Sequence, residues 1–196
     1  MADHRDHHAT IFVAPEAAAP VEAVRRQWDP GMAAQIGAHV TLAYPEEAPS
    51  VDLLVERVHA ASTRIPPFRL RLGGIACFER PEGGVYVAVE DIDGGYRRMR
   101  EEVLRPPFHP RAGPPHVTLV HPRTSRRGRD FWDSGAYPGH AGEFTAQEVA
   151  ITAFDGARWV VLETFALGRT RARRDGPCKA RREGPSRPSP ARGAVR

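Results

Sequence analysis

Pro115-His116-Val117-Thr118-Leu119-Val120-His121-Pro122 decides the reading of this chain, because it is the second copy of a pattern. The first copy is His39-Val40-Thr41-Leu42-Ala43-Tyr44-Pro45. Aligned from their first histidines, the two agree at His, Val, Thr, Leu and the closing Pro. A β-branched, apolar run stopped by proline reads as a short strand. Side chains alternate faces along a strand, so His39 and Thr41 share one face and Val40 and Leu42 the other. His116 and Thr118 are opposed to Val117 and Leu119 in the same way. An apolar face backed by an imidazole and a hydroxyl thus occurs twice, 77 residues apart. Side by side, two such strands would gather two histidines and two threonines around one cleft.

Outward from the motifs, each half reads alike. Thr10 to Ala14 is a strand ended by Pro15. From about Pro20, Val21, Val24 and Trp28 have helical spacing, closed by Asp29-Pro30-Gly31. After the first motif, Ser50 is a candidate N-cap for a helix whose residues Val51, Leu54, Val55 and Val58 share one face, stopped by Pro66-Pro67. Phe68 to Leu72 alternates apolar and charged residues, bends at Gly73-Gly74 and resumes at Ile75 to Phe78. Gly83-Gly84 turns it into Val85 to Val89, which gives a hairpin. A helix from Tyr96 to about Leu104 precedes the second motif. A basic loop from Arg123 to Arg129 follows, then two strands, about Phe144 to Phe154 and Arg158 to Leu167, joined through Asp155-Gly156. Strand, helix and motif strand recur in each half, so an internally duplicated α+β domain of antiparallel sheets flanked by helices is expected.

The 196 residues suit one domain, and 41% hydrophobic content is enough for a packed core. The net charge of +4 is unevenly spread. Residues 169–196 hold ten Lys/Arg against two Asp/Glu, a balance of +8, which leaves −4 over residues 1–168. That Arg/Pro-rich segment has no apolar periodicity and reads as a disordered tail. It is either a solvated extension or a loose electrostatic contact with RNA or another polyanion. Residues 1–9, with His4, His7 and His8, read as a flexible N-terminus and not as a metal site. Cys77 and Cys178 make no disulfide framework. No apolar run is long enough for a membrane span, and the polar first residues lack a secretion h-region. These features predict a cytoplasmic monomer with its folded domain over residues 10–168.

Two His-x-Thr motifs, each flanked by apolar residues, resemble the two-histidine (2H) phosphoesterase superfamily, which includes bacterial 2'-5' RNA ligase-like proteins and cyclic nucleotide phosphodiesterases. The resemblance runs from about Thr10 to about Leu167. It implies two pseudo-symmetric lobes facing a central cleft, and as substrate a nucleotide or RNA end with a cyclic phosphate or a 2'-5' linkage. It also implies that His116 activates water and His39 protonates the departing ribose oxygen, with the roles exchanged in ligation. The pseudo-symmetry of the sequence leaves that assignment open.

The residue chemistry agrees. Displacement at phosphorus takes one proton from the attacking oxygen and gives one to the leaving oxygen, and imidazole can do either near neutral pH. The hydroxyls of Thr41 and Thr118 can donate to non-bridging phosphoryl oxygens. Tyr44, Phe78, Arg80 and Arg123 are candidates for cleft-rim contacts to a base or phosphate, and each has an ordinary packing or surface role as its alternative. His121 has the parity of Val117 and reads as a strand-end residue. No cofactor is expected: HExxH, CxxC and GxxxxGK patterns are missing. Two other readings stand beside the enzyme: a non-catalytic module that binds RNA ends, and a zinc site on His39 and His116, for which no third ligand has a recognisable spacing.

Overall fold

The computed structural model describes residues 7–137, 139 and 142–168. In chain order the elements are β1 (His7–Phe12), α1 (Pro15–Trp28), α2 (Pro30–Gln35), β2 (His39–Ala43), α3 (Val51–Arg64), β3 (Phe68–Cys77) and β4 (Val85–Asp91). Then come α4 (Gly95–Val103), β5 (His116–Val120), α5 (Gly128–Ser134), β6 (Gly142–Ala146), β7 (Glu148–Phe154) and β8 (Trp159–Ala166). The strands form two four-stranded sheets, ordered β2-β1-β7-β8 and β5-β4-β3-β6. Every pairing is antiparallel. Each motif strand is an edge strand whose partner precedes it through helix: β1 to β2 in one lobe, β4 to β5 in the other. The fold is the duplicated, two-lobed α+β arrangement expected, with helices flanking the sheets around a cleft.

The apolar faces close one core. Val40, Leu42 and Leu119 are fully buried and Val117 is 1% exposed, so the parity expected of both motifs holds. They join Leu54 and Val58 of α3, Met99 and Val103 of α4, and Val85, Val87, Leu70 and Leu72 of the second sheet in one cluster. Helix α3 lies against β1, β7 and β8, α4 against β2, β3 and β4, and α1 against β5 and β6. The helices therefore tie the lobes together. Helix α4 starts where Asp91 accepts from the backbone N–H groups of Tyr96 and Arg97, and Gly95 seats it on Phe68, whose ring a Cβ would meet at 2.1 Å.

Several boundaries differ from the expectation. Strand β1 begins at His7, not Thr10, because His7 and His8 pair with Ala153 and Thr152 of β7; these two histidines are not part of a flexible run. Helix α1 starts at Pro15, since alanines 17–19 carry helix propensity without an amphipathic signal. Asp29 does not merely close α1: its Oδ1 accepts from the Met32 N–H (3.0 Å) and starts α2. Phe68 to Cys77 is one strand with a register shift between Leu72 and Ile75. Part of the expected basic loop is helix α5. The run 144–154 divides at Gln147, β6 joining β3 in one sheet and β7 joining β1 in the other. Apolar periodicity cannot register such a crossing, because only Gln147 stands between the two strands and no Gly or Pro marks a turn there. The Arg/Pro-rich tail and residues 1–6 of the N-terminal run lie outside the described residues. No helix among the described residues is long and apolar enough to cross a membrane.

Candidate active site

The two motif strands pack against each other at the junction of the sheets. Across β1, His39 faces Phe12 and Thr41 faces Thr10; across β4, His116 faces Ala88 and Thr118 faces Tyr86. Directly paired residues share a face, so the polar face of each motif continues into its neighbour. Both histidines are anchored identically. Nδ1 of His39 lies 2.8 Å from the Gly37 carbonyl oxygen, and Nδ1 of His116 lies 3.0 Å from that of Pro114. A carbonyl oxygen only accepts, so each Nδ1 carries the hydrogen and each Nε2 presents its lone pair. The anchor is local: each histidine is the first residue of its strand, and the chain two residues back turns its carbonyl onto the ring. Thr41 is 8% exposed and Thr118 half-buried.

Electrostatics hold both rings neutral in the free protein. Burial lowers His39 to about 4, against the Gly37 hydrogen bond and with help from Arg25 and His116. Burial likewise lowers His116, opposed by the Pro114 carbonyl. A third histidine belongs to this neighbourhood: His8 stacks on Trp159 with ring centroids 3.9 Å apart, and burial, His39 and His7 lower it to about 3.

Of the remaining sequence candidates, Tyr44 and Phe78 come close to His116. The Tyr44 hydroxyl is 3.4 Å from its Nε2. Phe78 is 38% exposed and meets His116 edge-on at 5.1 Å. Arg80 and Arg123 stand exposed on turns, and neither guanidinium is hydrogen-bonded to a motif residue. His121 ends its strand as expected: its N–H donates to Asp29 (2.8 Å) and its Nδ1 accepts from the Arg123 N–H (3.1 Å).

Sequence reasoning missed Tyr86, which packs 4.9 Å from His116 and 4.6 Å from Phe78, and Phe12, edge-on to His39 at 6.3 Å. Strand parity on β1 and β4 carried the only signal for them. It also missed a buried support. Glu47 is fully buried, binds Arg100 at 2.6 Å and accepts from the backbone N–H groups of Tyr44 and Arg111. Arg100 donates on to the Leu42 carbonyl (2.7 Å) and Tyr96 to the Thr41 carbonyl (2.9 Å). Helix α4 thereby holds β2 and, through the Arg111 loop, the approach to β5. Burial pushes the Glu47 carboxyl up, but Arg100 and the two N–H groups outweigh it and hold it below the usual range. Asp29 does similar work at the far end, accepting from the His121 N–H and the Thr124 hydroxyl. Among the described residues no three His, Cys, Asp or Glu side chains gather as a metal site.

Two edge strands with matched His-x-Thr faces, in a two-lobed α+β fold, are the pattern of the 2H phosphoesterase superfamily. The model of the 2'-5' RNA ligase superfamily matches residues 13–158, and the chain belongs to that family. No curated protein sequence matches it closely enough to count as a relative. Among solved structures it is similar to one described as a phosphoesterase, with 18% identity and a TM-score of 0.59 over 84% of this chain and 99% of that one. E. coli LigT complexed with 3'-AMP has 20% identity and a TM-score of 0.57 over 84% and 99% of the two chains. TT0787 of Thermus thermophilus has 23% identity and a TM-score of 0.55 over 83% and 98%. At these identities the likeness concerns the fold.

Proposed function

We propose that the protein is a phosphoesterase that needs no metal and acts on a cyclic phosphate or a 2'-5' phosphodiester of a nucleotide or RNA end, by acid-base catalysis between His39 and His116. The observation that supports this most is the matched pair of Nδ1 anchors, which leaves the Nε2 lone pair as the basic atom of each ring, on two motif strands that pack against each other. In hydrolysis of a 2',3'-cyclic phosphate, Nε2 of His116 takes a proton from water as its oxygen bonds to phosphorus. The bond from phosphorus to one ribose oxygen breaks, and that oxygen receives the proton carried by His39. Thr41 and Thr118 donate to the non-bridging oxygens, where negative charge builds. Both histidines are neutral in the free protein, so His39 must gain its proton with the substrate. The phosphate anion favours this, since a negative charge within a few ångströms stabilises imidazolium. E. coli LigT has been crystallised with 3'-AMP, ATP, NADP+ and phosphate, which supports a nucleotide as ligand here. No step calls for a second copy of the chain.

The test is turnover of a 2',3'-cyclic nucleotide to its monophosphate in excess EDTA. Full activity is expected. Binding without turnover would favour the module that only holds RNA ends, and activity lost with the chelator and restored by zinc would favour the metal reading.

A further inference from the structure

The two motifs differ at the residue before their closing proline. Five positions beyond each histidine stands Tyr44 in the first copy and His121 in the second. His121 is occupied with its own loop, its Nδ1 accepting from the Arg123 N–H. Tyr44 instead reaches from β2 to the other lobe, placing its hydroxyl 3.4 Å from Nε2 of His116. Because Nδ1 of His116 already carries the ring hydrogen toward Pro114, Nε2 is the acceptor and the phenol the donor. Burial raises the Tyr44 phenol above its ordinary value, which keeps it a donor through the neutral range. Among the described residues no donor reaches Nε2 of His39.

We propose that Tyr44 is a positioning residue that makes the two histidines unequal: in the free protein its hydroxyl donates across the cleft to Nε2 of His116 and keeps that ring neutral and aimed, and it gives way to the attacking water, whose proton the released lone pair of His116 takes in hydrolysis. The catalytic part rests on the function proposed above; the hydrogen bond does not. Around His116 the other groups are the Tyr86 and Phe78 rings and His39. Around Tyr44 they are the Thr41 hydroxyl, which also meets the phenol, His8 on β1, Glu47 beyond the strand, Arg100 on α4 and Arg111 before β5. Glu47 and Arg100 neutralise each other at 2.6 Å. Removing only the Tyr44 hydroxyl changes none of these charges.

A hydrogen bond into the Nε2 lone pair favours the neutral ring, because a protonated Nε2 cannot accept it. Tyr44→Phe, which keeps the aromatic ring beside His8, is therefore expected to raise the titration of His116 by about 0.4 to 1 pH unit and leave His39 in place. NMR titration of the histidine ring protons reads both. In turnover of a 2',3'-cyclic nucleotide the same variant should lose roughly three- to tenfold in kcat with little change in KM, and its acid limb should move to higher pH. A second measurement uses the unaltered protein: the 15N resonance of Nε2 should mark His116, and not His39, as a lone pair accepting a hydrogen bond. Identical 15N signatures at the two rings, or an unmoved His116 in Tyr44→Phe, overturn the proposal. A shifted His116 with unchanged kcat overturns its catalytic part. Lack of turnover in the wild type would count against the proposed function instead, and the titration does not depend on it.

Discussion

The two motif stretches, residues 39–45 and 116–122, agree in five of seven aligned positions and share the same backbone anchor, yet their surroundings differ. His39 is flanked by Phe12 and feels the buried Arg25. His116 lies among Phe78, Tyr86 and the Tyr44 hydroxyl. What is local to the motif, the alternation of faces and the carbonyl two residues back, was duplicated with it. What comes from neighbouring strands was free to diverge. In the proposed mechanism the acid and the base are the same residue type, and their difference in environment is what would separate the two roles.

The comparison breaks most directly at the histidines. His39→Ala and His116→Ala should each lower turnover of a 2',3'-cyclic nucleotide by a factor on the order of 10² to 10⁴, with the circular dichroism of the fold retained. A variant that keeps the wild-type rate would show that its strand only supports the other. Next comes the support shared by both strands. Glu47→Gln leaves the Arg100 guanidinium, 15% exposed, without its counter-charge, and loss of a buried partner costs about 3 to 5 kcal/mol. Urea unfolding should show that loss, and an unchanged midpoint would mean that the pair does not hold the strands.

The threonines sharpen the comparison. A hydrogen bond to a charged group contributes about 1.5 to 3 kcal/mol, so Thr41→Ala and Thr118→Ala should each cost roughly ten- to a hundredfold in rate. Equal losses would indicate that the two lobes hold the phosphate symmetrically. Acid comes next. His39, at about 4, and His8, at about 3, bind protons more weakly folded than unfolded, where histidine titrates near 6.5. Their contribution to stability is complete above about pH 6.5 and is lost as the pH falls toward those folded values. Below that, protonation of Glu47 through its depressed folded value removes a further contribution. The unfolding midpoint should therefore decline from about pH 6.5 downward, and His39→Gln should flatten the first part of the decline. A midpoint flat to pH 5 would contradict burial of neutral histidines. The smallest effect is expected from truncation after Gly168, whose N–H donates to the Ser62 carbonyl at 2.8 Å and closes the described domain. Melting temperature and mononucleotide kinetics should stay unchanged, and any RNA affinity lost with the ten basic residues should depend on salt.

Both motif strands, the burial of Val40, Leu42, Val117 and Leu119, and the α3 and α4 helices were legible in the sequence because each has a period that one element expresses by itself. Helix α2 and the early start of α1 were not: the first depends on a single Asp29 cap, the second on alanines without an amphipathic pattern. The pairing of His7 and His8 with β7 joins residues more than 140 positions apart, and no local composition distinguishes such a strand from a polar terminus.

By itself the sequence determined which residues point together: strand alternation forces His39 with Thr41 and His116 with Thr118 onto polar faces, whatever the rest of the chain does. Only the tertiary structure decided that Gln147 divides one apolar run between two sheets and that Glu47 finds Arg100. It also decided that Tyr86, Phe78 and Tyr44 surround one histidine while Phe12 and Arg25 attend the other. The physical reason is range. Periodicity acts over a few residues of one element, whereas burial, charge and hydrogen bonding at the cleft are set by side chains that meet only after the two sheets have packed.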